Sequence, residues 1–355
     1  MASRVGTRVI VACVNNNWSL ALLLSKYDSE QYASDTASGL LAERRTMSLG
    51  RLIGADSLYR WIIIAGVALT LAVRLRGMQV TFDLHDFGKP LALMAGIYGF
   101  GLLLAWLGAH TKSFVFTGSA DFFCSVAQLM FFSTFTIGLQ YVVFATNFPL
   151  ADDAFLRADA ALGFDWDRYI TWLAQHSTLD DVFHYAYSSP TVQLFTLFFV
   201  HCMRSDDDGN GEFIWCFMTT LLIVLAVALP LPALGYPGGI GQHHIDALVA
   251  ARNGTVIGLD GIVTFPSFHA ALGVLFVYSV RAIKPLLAIA IPLNALLILA
   301  TPPHGGHYLV DVIAGLVVAG VAIALVRRFR APQRTADRRS VAQPAQGLGR
   351  TGVGA

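Results

Sequence analysis

An all-α fold, a polytopic transmembrane helical bundle, is what the sequence predicts, and three observations carry the prediction. Of 355 residues, 55% are hydrophobic and only 13% are charged, whereas soluble domains carry about 25% charged residues. The charges are bunched into short stretches separated by long apolar runs. Those runs recur often enough for about eight spans, since about 30 Å of hydrocarbon at about 1.5 Å per residue takes about 20 mostly apolar residues. With 24 Lys and Arg against 23 Asp and Glu the net charge is +1, which argues against nucleic acid as a partner. Cys13, Cys124, Cys202 and Cys216 have neither metal-ligand spacing nor the density of a disulfide framework. Three of them fall inside apolar runs and read as packing residues.

The spans run over 59–74, 90–109, 122–147, 184–203, 213–233, 267–280, 285–300 and 308–326. The first, sixth and seventh are short and need flanking residues or snorkelling arginines to reach both surfaces. Residues 1–58 read as a partly disordered N-terminal arm without an ordinary signal peptide, because the apolar run 9–14 stops at Asn15, Asn16 and Asn17. Two accessory spans occupy 59–120, and the other six fall in 121–326. Residues 327–355, rich in Arg, Ala, Gly and Gln without hydrophobic periodicity, read as a basic disordered tail.

Orientation follows from Lys and Arg near the span ends. Arg327, Arg328, Arg330, Arg334, Arg338 and Arg339 put the C-terminus in the cytoplasm, and Arg44, Arg45, Arg51 and Arg60 put the N-terminus there too. The expectation is a multi-pass plasma (inner) membrane protein with both termini cytoplasmic. Arg281, Lys284, Arg204 and Lys112 then lie inside, and the acid-rich loop after Asn147 lies outside; Arg74, Arg76 and Lys89 dissent. In that loop Asp165 can cap a short helix carrying Trp166, Tyr169 and Trp172, and Ser177 with Asp180 resembles a capping box before the fourth span. Such aromatic helices suit an anchor in the headgroup region.

Chemistry-bearing residues gather on the outer side of the last three spans. The loop 235–264 holds Tyr236, His243, His244, Asp246 and Arg252; Thr264-Phe265-Pro266-Ser267-Phe268-His269 opens the sixth span; and a hairpin from Thr301 to His307 leads into Tyr308-Leu309-Val310-Asp311. His307 and Asp311, spaced i, i+4, would share one stripe of a helix. The carboxylate could then orient one imidazole nitrogen and leave the other as a nucleophile or base. Pro266 suits a helix N1 position, so that Ser267 and the first-turn N–H groups face a phosphate with the positive end of the dipole. His269 in the same turn can give a proton to a leaving oxygen.

These residues resemble the type 2 phosphatidic acid phosphatase (PAP2) superfamily, and within it the inositolphosphotransferase branch that contains inositol phosphorylceramide synthase. Pro266-Ser267-Phe268-His269 is similar to the superfamily's Pro-Ser-Gly-His signature, with Phe268 in place of glycine. Thr301 to Asp311 is similar to the Ser-Arg-x5-His-x3-Asp signature. The resemblance covers roughly 122–326 and implies a six-helix PAP2-like core that works without metal or other cofactor. It implies that His307 attacks phosphorus to give a phosphohistidine, that Asp311 orients and charge-stabilises it, and that His269 protonates the leaving group and then activates the acceptor. The substrate implied is a membrane lipid, a phospholipid or lipid phosphate, and the acceptor is water or an alcohol such as inositol or a lipid hydroxyl. The chain departs from the family in two places: the signature of a Lys six residues before Arg-Pro is missing, and the third signature's Ser-Arg falls at Ala300-Thr301. Arg252, followed by a turn at Asn253-Gly254, is the candidate for one missing phosphate-binding cation. Ser267, Tyr308 and His304 are further donors.

Within that class, a simple lipid phosphate or pyrophosphate phosphatase is the alternative. Two other classes stay open. His243, His244, Asp246, His269, His304, His307 and Asp311 could instead hold a metal ion, and polar residues in spans could line a transport pathway.

Overall fold

The computed structural model describes residues 55–77, 84–204, 207–236, 242–255 and 261–342, all within the unit Ser48–Ala355. Nearly all of the arm 1–58 and residues 343–355 of the tail lie outside the described residues. The described residues form twelve α-helices and no strand. These are α1 (Ala55–Gly77), α2 (Leu84–Thr111), α3 (Phe114–Ala145), α4 (Asp152–Ala161), α5 (Trp166–Ala174) and α6 (Ser177–Ser188), then α7 (Pro190–Met203), α8 (Asp207–Ala228), α9 (Gln242–Arg252), α10 (Phe268–Ser279), α11 (Lys284–Gly305) and α12 (Leu309–Ala342). The described residues are thus an all-helical bundle, and the protein is a multi-pass membrane protein. Six helices, α1, α2, α3, α8, α11 and α12, are long and apolar enough to cross a bilayer, while α7 and α10 are apolar but short.

Each stretch read as a span contains an apolar helix, but the lengths differ from expectation. The first and seventh are full-length, because Asp56–Arg76 and Lys284–Gly305 extend the apolar runs at both ends. The fourth is broken: Ser188 ends α6 and Pro190, at the first position of α7, has no N–H to continue it. The hairpin expected from Thr301 is helical as far as Gly305. There the Thr301 hydroxyl donates to the Leu297 carbonyl at 2.8 Å, and Gly306 (φ 62°) ends the helix in the left-handed conformation. The tail expected to be disordered from residue 327 continues α12 to Ala342. Asp165 caps α5 as expected, accepting from Arg168 N at 3.0 Å. Ser177 does not cap α6, whose N-cap is His176 without a side-chain bond.

The main core joins α1, α3, α7, α8, α10 and α12 through Ile64, Phe132, Phe198, Phe213, Leu275 and Ala319. The buried thiols Cys124, Cys202 and Cys216 are unpaired packing residues. Large apolar side chains such as Leu69, Leu103, Ile289, Leu299 and Val317 stay exposed, as a lipid-facing surface requires. Helix α10 has only 12 residues, about 18 Å of rise, so the chain enters the bundle as irregular backbone. Such backbone survives at membrane depth only where protein groups satisfy it. Here Gln140 of α3, 5% exposed, accepts from Ile262 N at 2.8 Å and Val263 N at 3.2 Å, and Thr264 Oγ1 donates to Ala233 O. Removing that acceptor (Gln140→Leu) leaves two buried N–H groups unpaired, each worth about 1–3 kcal/mol. The expected result is a lower unfolding temperature in detergent, whereas Gln140→Glu, which keeps the acceptor, is milder.

Candidate active site

The N-terminus of α12 and the N-terminus of α10 meet back to back. Ser267 N donates to Asp311 O at 3.0 Å, so the two signature segments are joined through their main chains. A Cβ on Gly315, one turn beyond Asp311, would lie 2.2 Å from the Ser267 carbonyl oxygen. Only a glycine permits that approach.

Ser267 is the N-cap of α10: its side chain accepts from Ala270 N at 3.3 Å and it is wholly buried. Pro266 therefore precedes the cap rather than occupying N1. The capping role follows from the preference of serine for that position and turns the hydroxyl oxygen towards its own helix rather than outward.

Helix α12 is capped by two carboxylates. Asp311 Oδ2 accepts from Tyr308 N at 2.9 Å, and Asp159 of α4 accepts from Leu309 N at 2.8 Å, Val310 N at 2.9 Å and Trp166 Nε1 at 2.9 Å. The helix dipole favours both. Asp159 is 0% exposed, so Asp159→Ala leaves three buried donors unpaired. It should cost about 3 kcal/mol or more, read as a fall in the unfolding temperature of the detergent-solubilised protein.

His307 lies in the short link before α12, not on the helix, and this changes the expected pairing. Its Nδ1 is 2.8 Å from Thr264 O and 3.6 Å from Asp311 Oδ2. The stripe geometry of i, i+4 needs both residues helical, and α12 starts only at Leu309. A carbonyl can only accept, so Nδ1 carries the proton and Nε2 keeps its lone pair. Burial pushes the His307 imidazole down to about 4, although the bond to the Thr264 carbonyl acts in the opposite sense. Asp311 remains beside it as a buried carboxylate whose Oδ1 makes no hydrogen bond.

His269 faces this histidine, with ring centroids 6.4 Å apart. Tyr187, from the last turn of α6, stacks on His269 at 4.5 Å and places its hydroxyl 3.4 Å from Nδ1. A Cβ on Gly305 would come within 2.6 Å of the Tyr187 hydroxyl and 2.7 Å of His307 Cδ2. Beyond Tyr187 lie His304, 6.4 Å away between ring centroids, and His184, 5.6 Å from His304.

Of the sequence-derived candidates, His269, His307 and Asp311 are brought together. Tyr308 is buried with its hydroxyl donating to Asp152 Oδ1 at 3.0 Å, a structural bond and not an open phosphate donor. Arg252, at the end of α9, donates from Nη2 to Phe148 O at 2.8 Å beside the α3–α9 cluster of Tyr141, Phe144 and Leu248. Among the described residues no three His, Cys, Asp or Glu side chains are placed to hold a metal ion, so the metal constellation is not assembled there; the His243 side chain lies outside them. Tyr187, Asp159 and Thr264 are the participants that sequence reasoning missed. Asp159 comes from α4 in the outer loop, and Tyr187 from α6, at the start of the stretch read as the fourth span.

Comparison with curated proteins and with solved structures finds no match. Residues 153–325 match the family model described as the PAP2 superfamily, a segment that contains His269, His307 and Asp311, and the match indicates an enzyme of the phosphatase and phosphotransferase class.

Proposed function

We infer that the protein is a lipid phosphotransferase or phosphatase of the inositolphosphotransferase type, independent of metal, that works through a phosphohistidine on His307. The observation that supports this most is the bond from His307 Nδ1 to Thr264 O at 2.8 Å, which leaves Nε2 as an oriented, unprotonated nucleophile beside a second histidine. In the first step the Nε2 lone pair forms a bond to phosphorus while the bond from phosphorus to the leaving oxygen breaks. That oxygen takes a proton from the imidazolium of His269, a form favoured by the negative charge of bound phosphate. In the second step the neutral His269 removes the proton from water or an alcohol, whose oxygen bonds to phosphorus as the P–N bond breaks. Asp311 offsets the positive charge that His307 acquires when phosphorylated.

A mostly apolar cavity of about 190 Å³ between α7, α10 and α11, lined by Val192, Leu197, Phe276, Ile289, Ala290 and Leu293 with Gln193 and Thr196, suits a hydrocarbon chain; it lies towards the ends of α10 and α11 remote from His269 and His304. The active site is taken to face the extracytoplasmic side, from the arginine distribution alone.

The purified protein in detergent, given short-chain phospholipids with and without inositol, tests the class. A new phospholipid formed only with an alcohol present identifies a transferase, and free phosphate alone identifies the phosphatase alternative. Activity abolished by a chelator contradicts the mechanism. The pH dependence gives a separate check. Since the folded His307 titrates near 4 and its ordinary value is 6.5, the nucleophile stays neutral through the mildly acidic range. The acid limb of kcat/KM should fall near pH 4 rather than near 6.5. Over the same window the folded state, which binds fewer protons than the unfolded chain, loses stability as pH falls.

A further inference from the structure

A transferring phosphoryl group carries close to two negative charges and needs cations in a site that excludes water. Among the described residues, the groups gathered around His269 and His307 are imidazoles, a phenol and carboxylates: Tyr187, His304, His184, Asp180 and Asp311. Arg252 is held at Phe148, and Thr301 is wholly buried on the Leu297 carbonyl. The charge must come from one of the imidazoles.

His304 is the group placed to supply it. It sits in the last turn of α11, where a helix C-terminus favours a cation, and next to Gly305, where an added Cβ would meet both Tyr187 and His307. Its Nε2 is buried and lies 3.1 Å from Asp180 Oδ1, yet off the axis needed for a hydrogen bond, so it has none. Asp180 is 48% exposed while the His304 side chain is 17% exposed. The carboxylate therefore stands at the solvent side of a buried, unsatisfied imidazole nitrogen.

We propose that His304, flanked by His184 and paired with Asp180, is the phosphate-binding cation of this site, and that the substrate phosphate takes the place of the Asp180 carboxylate against His304 Nε2. The proposal rests on the phosphoryl-transfer reading above. It deepens that reading by giving the anion-binding role to imidazole instead of guanidinium or ammonium. An imidazole carries charge only when protonated, so phosphate binding weakens as pH rises. The ionisable groups facing His304 are Asp180, His184 and Tyr187 of α6, with His269 of α10 on the Tyr187 ring and His307 facing His269.

Competitive inhibition by inorganic phosphate, together with KM and kcat, is to be measured from about pH 5.5 to about pH 8.5 on the full-length protein in detergent. Comparing variants at each pH cancels the titration of phosphate itself. His304→Ala and His304→Gln should weaken phosphate inhibition at the acidic end on the order of tenfold, raise KM more than they lower kcat, and flatten the pH profile. His304→Arg should keep tight inhibition at the alkaline end, where the native protein has lost it. Asp180→Asn should tighten inhibition at the acidic end by removing the competing carboxylate. Unchanged inhibition and pH profile in His304→Gln, or Asp180→Asn that weakens inhibition at the acidic end, would overturn the proposal. His307→Ala measured alongside separates the two readings: turnover in that variant defeats the phosphohistidine reading itself. An inactive His307→Ala with native-like phosphate inhibition in His304→Gln defeats only the role of His304.

Discussion

Replacing His307 by alanine is expected to lower turnover by about 10⁴-fold or more while the protein stays folded. The residue would be the covalent nucleophile, and removing a nucleophile eliminates the reaction path rather than slowing one step of it. The fold depends on it less, since the structure gives its side chain one hydrogen bond, to the Thr264 carbonyl, whose net worth is about 1 kcal/mol. Activity and unfolding temperature should therefore separate. Asp311→Asn behaves differently: it keeps an oxygen for Tyr308 N but loses the charge 3.6 Å from His307 Nδ1. Its turnover should fall less steeply than that of His307→Ala, because the nucleophile and its tautomer remain. Equal losses in both variants would mean that Asp311 acts directly on the reacting atoms.

Gly315→Val is expected to cost both stability and activity. Any Cβ at this position would meet the Ser267 carbonyl oxygen at 2.2 Å and Ala270 Cβ at 3.3 Å, and the first of these is backbone that cannot rotate away. α10 and α12 must separate, and close packing through small residues is what holds membrane helices together. The separation also breaks the bond from Ser267 N to Asp311 O and moves His269 relative to His307. Overpacking of this kind costs about 1–3 kcal/mol, and a displacement of about 1 Å between catalytic groups costs about 10²-fold in rate. Gly320→Ala is the control on the same helix. Nothing lies within 4 Å of its added Cβ, and alanine is the better helix former by about 0.8–1.0 kcal/mol. It should leave turnover unchanged and raise the unfolding temperature slightly; thermal unfolding and turnover in the same detergent test both variants.

What could be read from the sequence, and what could not, divides by sequence distance. The helices α1, α2, α3, α8, α11 and α12 were legible because apolar runs between charge clusters report burial locally. His269, His307 and Asp311 were legible because their chemistry sits in two short strings. The nearness of His307 and Asp311, 3.6 Å apart, follows from their spacing, but a shared helical stripe does not, because spacing alone does not reveal where a helix begins and α12 starts two residues after His307. Asp159 caps α12 from 150 residues away, and Tyr187 reaches His269 across 82. No local signal marks either of them. Tyr187 was hidden further by its place in a stretch read as one span, which Pro190 divides. Gln140 looks like an isolated polar residue in an apolar helix, and only the irregular backbone at Ile262 and Val263 explains it.

The central claim is that phosphorus passes through His307. It is tested most directly by mixing the purified protein with a short-chain lipid donor labelled at phosphorus, quenching in denaturant within one turnover, and mapping the label. The account predicts labelled protein that is stable to alkali and labile to acid, with the phosphate on His307, and no label in His307→Ala. Turnover in the native protein with no trapped label at any quench time, or label on another residue, would contradict it.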